Sequence, residues 1–364
     1  MRVLLNATGN SPKIDSLNSR IPAPLLTLVD RPFVQHVVET LVSAGARSFD
    51  IILSRDSDYF RAALGDGSRW GVEFRFSYVP DATRPFAGID LLGLDDSPEP
   101  IFIASADRLP NLQSERLREG DAQEVIFYLQ SPEAEHSGFD WSGWARIPSR
   151  LLSVLGPDMD ELAAGEALLR GVGSGSLQVF LPPVLSAQTF AELLSAQEAV
   201  LSGRFTGIQL TGQETSPGVF VCNNAIIHPT ATLVSPVHIG ANCRVGAMTK
   251  VGPNSVVCEG SIIDQDTTLD HSLVMQDTYV GESLEMVACV VDGNRLVHTR
   301  WESAITVTDD MFLASTRDAK LLPPGKRVLK DMGKALSIAA LAIALPIIGV
   351  AAAGKRALVR AGRA

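Results

Sequence analysis

Cysteine is scarce in this chain, and its four copies, Cys222, Cys243, Cys258 and Cys289, form no CxxC pair and no metal-ligand spacing. That excludes a disulfide scaffold and a cysteine-built metal centre, and predicts buried, reduced thiols. A secretory leader is also missing: Met1-Arg2 runs straight into the strand-like Val3-Leu4-Leu5, so the bulk of the protein is expected in the cytosol. Most of the chain is short of positive charge. From Lys320 onward there are nine Lys and Arg against the single Asp331, a tail of +8, which leaves −18 on the body within a net charge of −10. So acidic a body excludes nucleic acid as the main partner. Disorder is excluded as well, because 46% of the 364 residues are hydrophobic, and the length allows two or three domains.

The most ordered pattern present is a six-residue repeat from Ile227 to Val274. An aliphatic residue recurs at Ile227, Leu233, Ile239, Val245, Val251, Val257, Ile263 and Leu269. Four places after each stands Ala231, Val237, Cys243, Thr249, Ser255, Ser261, Thr267 or Leu273, mostly small residues. A period of six cannot come from a helix of 3.6 residues per turn. It predicts a parallel β-helix whose short strands bury their apolar side only by stacking. The pattern slips at Met275 and resumes at Val280-Gly281 and Met286, which predicts a short insertion before a final coil.

Upstream, the chain alternates strand and helix signals. Arg2 to Ala7, Phe49 to Ser54, Val72 to Val79 and Ile101 to Ser105 read as strands. Pro32 opens a helix with an apolar stripe of Phe33, Val37, Val38, Leu41 and Val42 that ends near Gly45. Thr189-Phe190-Ala191-Glu192 is a capping box for a helix stopped by Gly203. Such alternation predicts a parallel α/β sheet, with ligands beyond the carboxyl ends of its strands. The loop after Ala7 and the stretch around Asp107 fall on that edge. Trp141 and Trp144 are placed in packing rather than in a sugar site.

At that edge a family resemblance appears. Ala7-Thr8-Gly9-Asn10-Ser11-Pro12-Lys13-Ile14, followed by Pro22-Ala23-Pro24-Leu25-Leu26, resembles the signature loop A-G-G-x-G-T-R-L…P-K-P-L-L of the sugar-1-phosphate nucleotidyltransferases. Further matches are Arg31-Pro32, Leu64 to Val72, Ala104-Ser105-Ala106-Asp107 and Trp144 to Pro148. The repeat, Tyr279-Val280-Gly281-Glu282 and Val291 to Leu296 resemble the mannose-1-phosphate guanylyltransferase-like branch. The resemblance implies a Rossmann-like α/β head over 1–205 and a left-handed parallel β-helix over 218–316. It implies nucleotide binding by Ala7, Thr8, Gly9, Asn10 and Lys13, Lys13 as the remnant catalytic cation, and Mg²⁺ on Asp107, with an NTP or sugar nucleotide as ligand.

The loop departs from the family pattern where the chemistry is most demanding. Backbone N–H groups must approach phosphate closely and fixed charge must stabilise the leaving group. Here Thr8 and Ser11 replace glycines, Pro12 lacks an N–H, Lys13 replaces arginine's bidentate fork, and Ala23 replaces the sugar-phosphate lysine. The expectation is a degenerate head that binds a sugar nucleotide or scaffolds a membrane glycosyltransferase in surface polysaccharide or lipopolysaccharide biosynthesis. The alternative is an active nucleotidyltransferase making an NDP-sugar. A third, weaker reading is a hexapeptide-repeat acyltransferase using His228, His238 or His271, although no diagnostic loop insertion accompanies them.

Residues 326–364 are expected to anchor the chain to membrane lipid. Ala335 to Gly354 carries no charge and is long enough to cross a bilayer. Lys326, Arg327, Lys330 and Lys334 flank it on one side and Lys355, Arg356, Arg360 and Arg363 on the other, with Pro346 inside. Basic flanks at both ends suit a broken, re-entrant helix. Lys326 through Pro346 resembles the membrane segment of bacterial polyprenyl-phosphate sugar-phosphate transferases. The cytoplasmic face of the bacterial inner membrane is the expected location, and a homo-oligomer is compatible with the β-helix.

Overall fold

The computed structural model describes residues 1–9, 11–16, 21–54, 57–94, 99–112, 123–130, 140–173 and 175–317. Seven strands form the head's sheet, in the order 177–180, 125–129, 141–147, 101–105, 2–6, 48–53 and 73–78. Neighbours run parallel, as expected, except at Trp141–Ile147, which is antiparallel to both strands beside it. The sheet is therefore mixed.

Alternation along these strands divides two cores. Leu4, Ile52, Ile103, Phe127 and Trp141 face the helix Glu161–Gly171 through Ala164 and Leu168. Val3, Leu5, Phe49, Phe102 and Trp144 face the helices Phe33–Ser43 and Phe190–Leu201. Both tryptophans are almost fully buried, and their indole N–H groups donate to the carbonyls of Trp144 and Arg108. The Thr189 hydroxyl caps its helix through the Glu192 N–H at 3.0 Å. The reciprocal half of the capping box is replaced, because the Glu192 carboxylate takes the Ser186 hydroxyl instead.

From Val219 onward, three parallel ladders wind as a β-helix. Strand 226–227 pairs with 244–245, 232–233 with 250–251, and 237–239 with 255–257, so three hexads make one coil. Ile239, Val251, Val257 and Leu269 are wholly buried inside, and Val245 and Ile263 nearly so. The break in period is not an insertion after Met275. The corner at Asp270–Ser272 is one residue short: Lys250 pairs with Thr268, but Val256 already pairs with Leu273. Ser272 therefore takes the buried small-residue slot expected of Leu273, and Leu273 joins the core between head and β-helix.

The small slots hold hydroxyls for a reason that periodicity does not reveal. Thr249 donates to Asp264 O at 2.8 Å, Ser261 to Met275 O at 2.8 Å and Thr267 to Gly281 O at 2.7 Å. Each satisfies a corner carbonyl of the next coil that has no place in the ladders. The chain closes with an antiparallel hairpin, Arg295–His298 against Ser303–Thr306.

Head and β-helix share a core. Val256, Cys258, Leu273, Met275 and Val290 pack with helix Phe190–Leu201 in the cluster that also holds the sheet face. Gln197, buried on that helix, donates to Asn254 O at 2.9 Å, and Glu198 meets His271 at 2.9 Å. Arg31 binds Glu39 at 2.8 Å and Gln209 O at 2.5 Å, while Asp30 accepts the Thr211 N–H at 2.9 Å. All four cysteines are free, and three are buried. Among the described residues no helix is long and apolar enough to cross a membrane. The expected anchor, 326–364, lies outside them.

Candidate active site

The carboxyl ends of strands 2–6 and 101–105 meet at a small cavity of about 40 Å³, lined by residues that include Thr8, Gly9, Pro24, Ser105, Asp107 and Glu161. The parallel pairing of these strands, with Asn6 opposite Ser105, brings the signature loop to Asp107. Gly9 takes a left-handed φ of +67°, and a Cβ there would meet Pro22 Cβ at 3.0 Å. Thr8 turns inward. Its N–H and hydroxyl both donate to Asn6 Oδ1, at 3.2 and 3.0 Å, so this amide is committed within the loop.

Asp107 is buried and held from several sides. Its Oδ1 accepts the Ser105 hydroxyl at 2.7 Å and faces Arg108 Nε at 3.4 Å, and Gln188 Nε2 stands 3.4 Å from Oδ2. Arg108 is the centre of the arrangement. Its guanidinium, 6% exposed, bridges Asp107 and Glu161, donates to Trp141 O at 3.1 Å and touches Ser105 Oγ at 3.2 Å. Burial alone would push its proton off, but Glu161 and Asp107 reverse this and hold the cation more firmly than usual. Gly143 makes room for the bridge: at φ +79°, a Cβ there would lie 2.5 Å from Glu161 Oε1 and 2.7 Å from Ser105 Cβ.

Of the residues expected at the site, the structure brings together Thr8, Gly9 and Asp107. Ala7 lies beneath them, fully buried, with its N–H on Ile52 O at 2.9 Å. Asn10 falls outside the described residues. Lys13 is carried away by the short helix Pro12–Ser16 and lines a different cavity, of about 90 Å³, with Thr189, Phe190, Val297, Thr299 and Glu302. Ala23 is buried in the core and points no side chain at the cleft. Arg108, Glu161 and Gly143 escape a reading of the sequence. Glu161 lies far along the chain in the first turn of a helix, where an acidic residue signals only a favourable helix start.

Chemically, the cleft offers two carboxylates, one locked cation and no Lys or Arg among its lining residues. For Mg²⁺, Asp107 has one oxygen engaged by Ser105 and Arg108, and the guanidinium already neutralises the group. No cluster of three or more His, Cys, Asp or Glu able to hold a metal occurs among the described residues. A hard cation needs several unspent oxygens, so these residues do not fit it well. The repeat histidines are occupied structurally. His238 is buried with Nε2 on Thr211 O at 3.1 Å, His228 Nδ1 meets the Thr230 hydroxyl, and His271 holds Glu198.

No family model matches the sequence. Among curated proteins, the chain is similar to a UTP–glucose-1-phosphate uridylyltransferase of Synechocystis sp., at 20% identity over 75% of this chain and 84% of that protein. It is also similar to a mannose-1-phosphate guanylyltransferase catalytic subunit beta of Drosophila pseudoobscura pseudoobscura, at 24% over 81% of this chain and 89% of the relative. A shorter match, 33% identical over 26% of this chain and 33% of the relative, is a glucose-1-phosphate thymidylyltransferase of Mycolicibacterium smegmatis. The three names share one chemistry. These weak similarities, with the α/β head and stacked parallel ladders, support kinship with the sugar-1-phosphate nucleotidyltransferases.

Proposed function

We propose that this chain is a nucleotidyltransferase-like protein whose head does not turn over nucleotides and instead serves as a scaffold for a membrane glycosyltransferase. The observation that carries this reading is the cleft itself, about 40 Å³ in volume, lined by two carboxylates, its neighbouring Arg108 locked between them. Small-molecule sites usually offer roughly 300–1,000 Å³. A triphosphate brings several negative charges, and stabilising its leaving group requires fixed cations. The cleft's own charge has the opposite effect, since Asp107 and Glu161 outnumber Arg108. The basic, uncharged-centred tail supports a place at the cytoplasmic face of the bacterial inner membrane, and surface polysaccharide or lipopolysaccharide assembly is the setting that joins such a tail to such a head.

The runner-up is an active enzyme that makes an NDP-sugar with Mg²⁺. Its support is the likeness to named transferases over three quarters or more of the chain and the meeting of Thr8, Gly9 and Asp107 in one cavity. Calorimetric titration with UTP, GTP, dTTP and the corresponding NDP-glucose and NDP-mannose separates the two. Heats characteristic of micromolar binding favour the enzyme; none favours the scaffold.

A further inference from the structure

The two ends of the β-helix differ. The last coil is closed by the hairpin of Arg295–His298 and Ser303–Thr306 and by the strand Leu313–Ser315. The first coil is not closed on two of its three faces: strands Ile226–Ile227 and Thr232–Leu233 are edge strands of their sheets. Their inward side chains show the difference. Val245, Val251, Ile263 and Leu269, in the coils beneath, are at most 3% exposed, whereas Ile227 and Leu233 above them are only half-buried. Ile226, on the outer side, is 58% exposed.

The chemistry of this end is unusual for the chain. One residue in five carries a charge overall, yet Pro217 through Cys243 contains no Asp, Glu, Lys or Arg. Charge resumes directly below, with Arg244 paired to Ile226 and Lys250 paired to Thr232. Exposed strand edges are normally guarded by charge, especially lysine, and here the guard begins one coil too late. On the third face the chain already uses the same edge: Gln213–Ser216 adds to Val219–Val221 as an antiparallel strand.

From these observations we infer that the open end of the β-helix is an interaction surface for a second copy of this chain, joined end to end about a two-fold axis. A two-fold partner presents the same residues, and its edge strands meet these antiparallel, the orientation in which Gln213–Ser216 already pairs. The charge pattern selects this occupant. A body of −18 repels its own copy except through a surface without charge, whereas an oppositely charged partner would be recognised by basic residues that this end does not have. The inference is independent of whether the head is catalytic.

The test is the mass of the purified full-length chain in detergent, by light scattering corrected for bound detergent or by analytical ultracentrifugation. The parent is expected as a dimer at micromolar concentration. Ile226→Asp and Thr232→Asp, both on exposed side chains, are expected to weaken the dimer by roughly tenfold or more without lowering the melting temperature. Ile305→Asp, on the exposed outer face of the opposite end, is expected to leave it unchanged. A monomeric parent, or a dimer that survives both first-coil substitutions, overturns the inference.

Discussion

The row of buried hydroxyls in the β-helix can be tested at Thr267. This side chain is wholly buried. Its hydroxyl donates to Gly281 O at 2.7 Å and accepts the Leu284 N–H at 3.1 Å. Thr267→Val keeps the volume and β-branching but leaves both main-chain groups without that partner. Each costs about 1–3 kcal/mol when buried and unpaired. The extra methyl surface returns about 0.8 kcal/mol. The net expectation is a loss of about 2–4 kcal/mol. Thr267→Ser keeps both hydrogen bonds and loses one buried methyl, for about 1 kcal/mol. Urea titrations followed by circular dichroism on parent, Val and Ser proteins give the comparison. The reasoning predicts that Val is the less stable variant. A Val protein as stable as the parent, or more stable than the Ser protein, refutes it, and hydroxyls would then fill these slots for size alone.

Other expectations follow from the same geometry. Arg108→Met strands two carboxylates around Ser105 and should cost about 3–5 kcal/mol in the same titration, since breaking a buried pair leaves uncompensated charge. Ala23→Lys, which sequence reasoning would choose to restore a sugar-phosphate contact, should instead lower the melting point by several degrees, because position 23 is buried in the core; an unchanged melting point would show that the new amine finds its way to the cleft. Burial holds the His36 and His238 rings below the usual histidine range, with Asp30 opposing it in both. The unfolded rings therefore take up protons first as pH falls below about 6.5. Stability should be complete above that pH and decline beneath it, by up to about 1.4 kcal/mol per pH unit for each ring. His238→Gln should flatten the decline by one proton's worth; an identical pH profile counts against the assignment.

The β-helix was legible because its constraint is local and repeated: each coil needs an inward aliphatic residue at a fixed spacing, and Val251 and Leu269 obey it. The missing residue at Asp270–Ser272 was not, because a corner can lose a residue while the strands beside it keep their register, and the pattern shows the shift only several residues later. The head's strands and the helix after Pro32 were legible for the same local reason. The antiparallel turn of Trp141–Ile147 was not, since strand direction is set by neighbours far along the chain. The cleft was half legible. Thr8, Gly9 and Asp107 sit at strand ends that topology must bring together. Lys13 looks like part of the same loop, yet one helical turn after Pro12 carries it elsewhere. Arg108 reads as an ordinary neighbour of Asp107, and nothing in the chain's pattern announces that Glu161 will close the bridge.

The central claim is that the head does not perform nucleotidyl transfer, and pyrophosphate release tests it most directly. The full-length protein is incubated with Mg²⁺, each of UTP, GTP, dTTP, ATP and CTP, and glucose- or mannose-1-phosphate, with coupled detection of pyrophosphate and an active nucleotidyltransferase as positive control. The account predicts no release above the protein-free blank for any pair. Multiple turnovers with one NTP and one sugar phosphate, abolished by Asp107→Asn, would contradict it and make this cleft a working active site.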